Sequence, residues 1–212
     1  MKVLFTLFIL FTASNAFTQD WEVSIAPAGL SNYDNWFNDR QVHVKDYQYS
    51  FFASGFVRFT PANAAQKGRV HWHNGIGLSY SFHQAHWEYN KGNGVSQPTS
   101  DYRYTLQAGI VSAELTPLIL EFKNGLEIRS GLLIGVLANS ESNFPRSKIR
   151  VLNMQLANRI SYQLNWKQLK LLPFYQFSTG LLREVTFGQT KPLLLHRHNV
   201  GITFKLGGQK EL

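Results

Sequence analysis

Apolar and polar residues alternate with a period of two along most of the chain, which predicts β-strands rather than helices. Eight alternating runs can be traced, an even number that suits a sheet closed on itself. Their apolar faces are Trp21, Val23 and Ile25; Tyr47, Tyr49, Phe51, Ala53, Gly55, Val57 and Phe59; Val70, Trp72, Ile76, Leu78, Tyr80 and Phe82; Tyr102, Tyr104, Leu106, Ala108 and Ile110; Leu126, Ile128, Leu132, Ile134 and Val136; Leu152, Met154, Leu156, Ile160, Tyr162 and Leu164; Leu171, Tyr175, Phe177 and Leu181; and Val200, Ile202, Phe204 and Leu206.

The predicted strands are long, and the connections between them alternate in length. Several runs reach 12 or more residues, whereas strands of soluble proteins have about five or six and tilted membrane-spanning strands need about nine to eleven. Long polar connections cover residues 29–46, 84–100, 138–148 and 183–195, and tighter ones lie near 61–68, 116–124 and 165–168. Long loops at one end and short turns at the other are typical of outer-membrane barrels.

Aromatic residues gather near both ends of the predicted strands. Trp21, Phe59, Trp72 and Trp166 fall at the short-turn end, and Tyr47, Tyr49, Trp87, Tyr89, Tyr102 and Tyr104 fall at the long-loop end. Rings with an apolar body and a polar tip suit the two headgroup layers of a bilayer. The pattern therefore predicts an all-β fold, an eight-stranded antiparallel up-and-down transmembrane β-barrel with an aromatic girdle at each rim.

The face opposite the apolar one carries the charged residues of the strands. These residues predict a lumen ion-pair network of Glu22, Arg58, Arg103, Glu127, Arg129, Arg159 and Arg197. Two interpretations stay open: a pore lined by arginine, or a plug in which ion pairs offset the burial of each charge. Because eight strands enclose a space that side chains can fill, the sequence favours the plug.

Composition strengthens the membrane interpretation, and the N-terminus predicts export. The 212 residues are 44% hydrophobic and 16% charged, against about 25% charged in ordinary soluble domains. Met1 and Lys2, the apolar run Val3 to Phe11 and the small residues before Ala16 are typical of a secretory signal. We expect residues 1–16 to be the signal peptide and 17–212 the barrel domain. The absence of cysteine excludes disulfides, thiolate metal sites and a cysteine nucleophile in this chain.

Two pairs of histidines are candidates for chemistry. His71 with His73 and His196 with His198 have the His-x-His spacing that can place two imidazoles on one metal. The strand directions put the first pair in the lumen at one rim and the second pair outside at the other, and neither has a third ligand nearby in sequence. We therefore expect no metal site, no catalytic residues and no cofactor.

Two other classes of protein remain as alternatives. A lipid-A-modifying acyl hydrolase needs a serine, a histidine and an acid on the lipid side. The only local cluster is Ser79, Ser81, His83, His86 and Glu88. Its first three members fall on the strand face that is assigned to the lumen, which points them away from lipid. A secreted lipocalin-like binder of apolar ligands would place the apolar faces inside, and parity alone does not say which face is inside.

One stretch of the chain resembles a known family. The segment from Leu115 to Lys123, followed by a glycine-containing strand from Gly125 to Leu137, resembles the small bacterial outer-membrane β-barrel domain of the PorT-like group. The plan of the chain after residue 16 also resembles OmpX/OmpW-type eight-stranded barrels. The strand end Phe204 to Leu206 is similar to the terminal signal that the barrel-assembly machinery recognises in its substrates. The resemblance implies a porin-like barrel of the Gram-negative envelope.

The sequence therefore predicts a non-enzymatic protein of the bacterial outer membrane. We expect a structural or interaction role, through long extracellular loops or as a subunit of an envelope complex. The expected partners are the lipid bilayer and lipopolysaccharide, whose phosphates suit the loop cations Lys91, Arg146, Lys148, Arg183 and Lys191. The net charge is +8, but the basic residues form no patch that would indicate nucleic acid.

Overall fold

Antiparallel strands form a sheet whose first and last members pair with each other. The computed structural model describes residues 17–33, 42–43, 49–61, 69–90, 101–143, 147–166, 169–182, 185–187 and 195–206. Within them the strands are β1 (Phe17–Tyr33), β2 (Val42–His43), β3 (Tyr49–Pro61), β4 (Val70–Asn90), β5 (Asp101–Phe122), β6 (Leu126–Ser142), β7 (Ser147–Ile149), β8 (Leu152–Tyr162), β9 (Leu164–Trp166), β10 (Leu169–Gly180), β11 (Val185–Phe187) and β12 (Leu195–Leu206).

Eight of these strands build the barrel. They pair in the order β12-β1-β3-β4-β5-β6-β8-β10, and β10 also pairs with β12, which closes the ring. The predicted eight-stranded antiparallel barrel is therefore confirmed. The short strand β2 lies beside β4, β9 lies beside β10, and β7 pairs with β11 in a separate two-stranded sheet. No helix of the described residues is long and apolar enough to cross a membrane.

The turn at the Asn124-Gly125 pair shows how local sequence sets a strand end. Gly125 has a φ of +87°, a left-handed conformation that glycine adopts without steric penalty. The Gly125 amide donates to the Phe122 carbonyl at 2.9 Å, and the Leu126 amide donates to Asn124 Oδ1 at 3.1 Å. The chain therefore reverses within three residues between β5 and β6.

Several strands extend further than the alternation predicts. The predicted connection 116–124 is mostly strand, because β5 continues to Phe122 through Pro117. A register shift between Leu115 and Leu118 accommodates the proline, which has no amide to give to the ladder. The predicted long loops 29–46, 84–100 and 138–148 likewise begin with strand, up to Tyr33, Asn90 and Ser142. The predicted signal peptide, residues 1–16, lies outside the described residues.

Side chains alternate between an apolar exterior and a polar interior. Trp21 is 58% exposed, Leu78 68% and Val200 64%, although all three are large and apolar. The buried side of the same strands carries Glu22, Ser79, Asn199 and other polar groups. This arrangement decides between the two faces: the apolar face lies outside, so the lipocalin-like alternative is wrong.

The predicted register is wrong in one place, the upper half of β5. Leu106, Ala108 and Ile110, expected on the lipid face, are 0–2% exposed and lie inside. They lie on the same face of β5 as Ser112 and Glu114, which are also buried. The upper lumen is apolar on this side, and apolarity therefore does not distinguish the two faces of this segment.

Candidate functional site

Ion pairs fill the lower lumen, at the short-turn end of the barrel. Arg58 on β3 is 1% exposed, and its guanidinium nitrogens lie 2.7 Å from Glu22 Oε1, 2.7 Å from Glu121 Oε2 and 2.5 Å from Glu127 Oε2. The three carboxylates come from β1, β5 and β6. One arginine therefore connects four strands across the barrel interior.

Two further cations complete this lower cluster, which we define as Glu22, Arg58, Glu121, Glu127, Arg129 and Lys205. Arg129 lies 2.5 Å from Glu22 Oε2 and 2.5 Å from Glu127 Oε1, and its guanidinium carbon is 5.2 Å from the centroid of the Phe56 ring. Lys205 Nζ is 3.3 Å from Glu121 and 3.6 Å from Glu127. Three cations thus face three carboxylates, which offsets the burial of each charge.

Arg159 occupies the middle of the lumen, between neutral acceptors and aromatic rings. Its Nε and Nη2 donate to Gln176 Oε1 at 2.9 and 2.6 Å, and its Nη1 donates to Ser24 Oγ at 3.1 Å. The guanidinium carbon is 4.2 Å from the centroid of Phe174 and 5.5 Å from that of Phe52. Both rings belong to a buried apolar cluster with Ala26. Stacked cation and rings fill the cross-section of a barrel this narrow.

The upper lumen is lined by amides, hydroxyls and apolar side chains. Ser50 Oγ donates to Asn199 Oδ1 at 2.7 Å, and Gln155 Nε2 donates to Asn153 Oδ1 at 2.7 Å. Arg197 is 2% exposed at this level, and Leu106 is fully buried. The described residues thus line the lumen in three layers: charged below, aromatic with one arginine in the middle, and mostly neutral above.

Replacing Arg159 in the middle layer by alanine is expected to lower the stability of the barrel without creating a conducting pore. Arg159→Ala removes several hydrogen bonds from a charged donor, and we expect a loss of about 2 kcal/mol in the free energy of unfolding. Single-channel current in planar bilayers should stay at the wild-type level, because Phe52, Phe174 and the lower cluster remain in place. Increased conductance with unchanged heat stability would contradict this assignment and favour an arginine-lined pore.

The structure brings six of the seven charged residues predicted for the lumen into the interior. Glu22, Arg58, Glu127, Arg129, Arg159 and Arg197 are at most 5% exposed. The backbone of Arg103 lies opposite Glu88 on β4, in the upper part of β5, and its side chain is outside the described set. The predicted list omits Glu121 and Lys205. Lys205 shares the polar face of its strand and could have been found, whereas Glu121 lies in a segment that the sequence assigns to a turn.

The histidine pairs lie at opposite rims, as their strand directions indicate. His73 faces inward, 2.9 Å from Thr60 Oγ1 and 3.7 Å from Glu121 Oε2. His198 faces outward, with its Nδ1 2.6 Å from the Tyr175 hydroxyl. Across the part of the chain that the structure describes, His, Asp and Glu residues form no group of three that could hold a metal ion.

The serine–histidine cluster of the hydrolase alternative points away from lipid. Ser79, Ser81 and His83 are 5%, 4% and 1% exposed and lie in the lumen. Membrane lipid therefore has no access to these hydroxyl groups from the barrel exterior. The side chains of His86 and Glu88 are outside the described set.

Three tryptophans that the sequence assigns to the lower girdle are exposed on the barrel surface. Trp21, Trp72 and Trp166 are 58%, 45% and 62% exposed, next to the short turns. At the upper rim Tyr49 is 43% exposed, and its hydroxyl donates to the Pro27 carbonyl at 2.7 Å. Phe59 is partly exposed near the end of β3. Tyr47 lies outside the described residues.

The pairing of β4 with β5 continues above one side of the barrel. We define this part as the arm: residues 85–90 of β4 and 101–105 of β5, which pair with each other above the pairs Tyr49–Gln84 and Leu106–Ser142. The short strand β2 pairs with the β4 side of the arm, and the Asn143 amide donates to the Thr105 carbonyl on the β5 side. The backbones of Trp87, Tyr102 and Tyr104, which the sequence assigns to the upper girdle, lie in the arm, and their side chains are outside the described set.

These features define the class of the protein. A closed antiparallel barrel satisfies every backbone group within the sheet, which allows it to face hydrocarbon. An even number of strands, an apolar exterior and a polar interior are the properties of bacterial outer-membrane barrels. The chain is a transmembrane β-barrel protein of the bacterial outer membrane.

Solved structures of outer-membrane proteins show a distant similarity to the chain. The attachment invasion locus protein Ail of Yersinia pestis, crystallised with the heparin analogue sucrose octasulfate, shares 10% identity at a TM-score of 0.38, over 90% of this chain and 99% of that chain. Neisserial surface protein A shares 9% identity at a TM-score of 0.39, over 89% and 97%. The translocator domain of the autotransporter NalP from Neisseria meningitidis shares 9% identity at a TM-score of 0.34, over 97% and 96%.

These likenesses are distant, so the class rests on the strand pairing and the apolar exterior of the chain itself. No protein-family model and no curated protein sequence matches the chain.

Proposed function

We propose that the protein is a non-enzymatic outer-membrane barrel with a plugged lumen. It acts as a structural or interaction protein through its extracellular side, either alone or as a subunit of an envelope complex. The observation that carries this proposal is the set of large buried side chains that cross the lumen, together with the arm at the long-loop end. In the proposed role these side chains block transport, and the arm supplies a surface for recognition.

The arm offers backbone as well as side chains to a partner. Its strands continue for about 15–20 Å past the pairs Tyr49–Gln84 and Leu106–Ser142, at roughly 3.4 Å per residue. On the β4 side the short strand β2 already pairs with the arm, at Val42–Tyr89 and His43–Glu88. This pairing within the chain supports the proposal that an edge of the arm binds a partner strand by β-augmentation.

The side chains of the lumen also support a role without catalysis. The hydrolase alternative relied on Ser79, Ser81 and His83, and all three are buried among lumen side chains. In the proposed role the barrel uses no cofactor, no metal and no nucleic acid. Lumen side chains serve to stabilise the barrel, and the exposed apolar side chains anchor it in the bilayer.

Lipopolysaccharide is the proposed partner at the outer surface. The cations assigned to this contact are Lys91, Arg146, Lys148, Arg183 and Lys191, of which Lys148 lies in β7 and the others lie outside the described residues. Phosphate groups of the outer leaflet would pair with such cations through charge-assisted hydrogen bonds. Ail of Yersinia pestis was crystallised with an anionic heparin analogue, and we propose a comparable preference for anionic groups here.

Removing the arm tests the interaction role. His86 and Thr105 are partners in register, so replacing residues 87–104 by Asn-Gly closes the hairpin with a two-residue turn. We expect this variant to keep its heat-dependent gel mobility and to lose its specific products of cross-linking to other envelope proteins in intact cells.

A length-preserving control separates the arm strands from their connection. Residues 91–100 are replaced by a Gly-Ser segment of equal length, which leaves the paired residues of the arm intact. The control should retain the cross-linked products. Cross-linking that persists after removal of residues 87–104 would contradict the proposed role of the arm.

A further inference from the structure

A hydrogen-bonded pair of polar side chains faces outward on one side of the barrel. Ser130 on β6 and Asn158 on β8 are partners in register, and Asn158 is exposed. The Ser130 hydroxyl donates to Asn158 Oδ1 at 2.9 Å. Among the described residues, no group accepts a hydrogen bond from the amide nitrogen of Asn158. This nitrogen therefore presents two N–H donors to the surroundings of the barrel.

The side chains around this pair are apolar. Leu118 on β5 and Phe177 on β10 flank it in register. The outward-facing positions directly above and below it on β6 and β8 are Ile128, Leu132, Leu156 and Ile160. Ser130 and Asn158, which we call the amide site, are thus a polar spot on an apolar face.

Strand pairing gives the height of each residue along the barrel axis. Trp72, Leu120 and Ile128 lie in one register row across β4, β5 and β6. Followed strand by strand around the barrel, this row returns to β4 near Phe82, so it climbs toward the long-loop end in that direction. In strands tilted by about 40°, each step to the next strand adds about 3 Å of height, and each residue along a strand adds about 2.5 Å.

The amide site lies at the middle of the bilayer. Relative to Trp72, Ser130 is about 11 Å and Asn158 about 14 Å higher. Measured from Trp21 through β12 and β10, the height of Asn158 is about 11 Å. Both tryptophans belong to the predicted lower girdle, and the apolar band above it is about 25 Å tall, with its midplane about 12–13 Å up.

Lipid does not satisfy an amide at this depth. Hydrocarbon accepts no hydrogen bond, and a polar group left without a partner there is unfavourable. Phosphates, esters and water lie in the two headgroup layers, more than about 10 Å away in either direction. Polar side chains at this depth are typical of contacts between membrane-spanning proteins. The Asn158 amide therefore selects a protein with an acceptor at the midplane.

A second copy of the chain carries this acceptor at the required depth. A twofold axis parallel to the membrane normal leaves depth unchanged and brings Asn158 against its own counterpart. Each amide nitrogen then donates to Oδ1 of the other copy. Oδ1 has a second lone pair for this bond, besides the one that accepts the Ser130 hydroxyl. The amide site is thus complementary to itself.

The surface beside the amide site has a shape that suits the same contact. A shallow recess of about 340 Å³ lies on the β10 side, and its outward-facing lining is Leu126, Ile160, Tyr162, Pro173 and Tyr175. On the opposite side of Asn158, the Ile128 side chain protrudes from β6 and is 38% exposed. A twofold axis at Asn158 places Ile128 of each copy opposite the recess of the other, at a similar depth.

We propose that the amide site is the centre of a homodimer interface within the membrane. The two Asn158 side chains hydrogen-bond reciprocally across the twofold axis, and β6, β8 and β10 of both copies form the contact. This interface uses the membrane-facing surface alone, so it is independent of the arm.

Spin labels at single cysteines test the interface, since the chain has no cysteine of its own. Ile160→Cys places a label beside the axis, and Ile76→Cys on β4 is the matched control. Both isoleucines face outward, 46% and 42% exposed, and both lie about 9–10 Å above Trp72. Labelled before refolding into dilute lipid vesicles, position 160 should give a spin–spin distance shorter than the width of the barrel, and position 76 should not.

Removal of the amide should weaken the dimer. In labelled Ile160→Cys, adding Asn158→Leu should raise the protein-to-lipid ratio at half dimerisation about tenfold, the effect of losing two hydrogen bonds within a membrane. Adding Asn74→Leu instead removes an outward-facing asparagine from β4 and should leave this ratio unchanged. Both variants should keep the heat-dependent gel mobility of the folded barrel, because neither side chain enters the lumen.

Three outcomes would overturn the proposal. They are equal spin–spin distances at positions 160 and 76, no spin–spin coupling at position 160, and equal half-dimerisation ratios with and without Asn158→Leu. If the purified barrel stays monomeric while position 160 cross-links to a different envelope protein in intact cells, that protein is the occupant of the amide site instead.

Discussion

Arg58→Met is expected to lower the free energy of unfolding by about 3–5 kcal/mol, the range for breaking one side of a buried ion pair. Methionine keeps much of the side-chain volume but leaves Glu22, Glu121 and Glu127 facing one another with less positive charge. Arg129 and Lys205 remain within 4 Å of these carboxylates, so the cluster is weakened rather than removed. The measurement is urea-induced unfolding of the barrel in lipid vesicles, followed by tryptophan emission.

Two further variants distinguish charge imbalance from simple loss of packing. Arg69→Met removes an arginine from an exposed position at the same end of the barrel and should change stability by less than about 0.5 kcal/mol. Adding Glu127→Gln to Arg58→Met removes one of the carboxylates and should restore part of the stability. If Arg58→Met and Arg69→Met have equal small effects, the lower cluster contributes little to the fold.

Gly75→Val is expected to cost about 3 kcal/mol or to prevent folding, because the interior has no room for the side chain. A Cβ at this position would lie 2.5 Å from the Val57 carbonyl oxygen and would overlap the ring of Phe56. The carbonyl belongs to β3, which pairs with β4 here, so it cannot withdraw without disturbing the ladder. The fraction of protein with the gel mobility of the folded barrel measures the effect.

Gly55→Val is the matched control on the adjacent strand. Gly55 is exposed on the barrel exterior, and its Cβ position has no neighbouring heavy atom within 4 Å, so we expect a change in stability of less than about 0.5 kcal/mol. Equal losses in the two variants would mean that strand glycines act through backbone flexibility, and that close packing at Gly75 is not the cause.

Alternation along the strands made the barrel predictable from sequence. It assigns the inward positions of β1, β3, β8 and β12 correctly, because charged or amide residues alternate with large apolar ones there. It fails at Leu106, Ala108 and Ile110, where the lumen itself is apolar. The same limit applies to Leu172 and Phe174, buried residues that interrupt the pattern of β10. Phe174 faces inward because its ring covers the guanidinium of Arg159.

The partners within the lumen could not be predicted in the same way. Parity shows that Arg58 and Glu127 share the interior, but their 2.5 Å contact depends on the stagger between strands that are 69 residues apart in sequence. Arg103 shows the same limitation, because its distance from the end of the barrel depends on how far β4 and β5 extend together. The length of these strands depends on the pairing within the arm. The alternation of apolar and polar residues gives no information about that length.

The closing contact between the first and last strands sets the order in which the barrel assembles. Ser24 on β1 and Thr203 on β12 are 179 residues apart and hydrogen-bond at 2.7 Å. Joining such distant segments carries the largest loop entropy in the chain, so this step comes late and is slow. Arg159 Nη1 donates to both residues, and these bonds exist only after closure. They therefore slow the reopening of the barrel without accelerating its formation, which gives the inserted protein a long lifetime rather than fast folding.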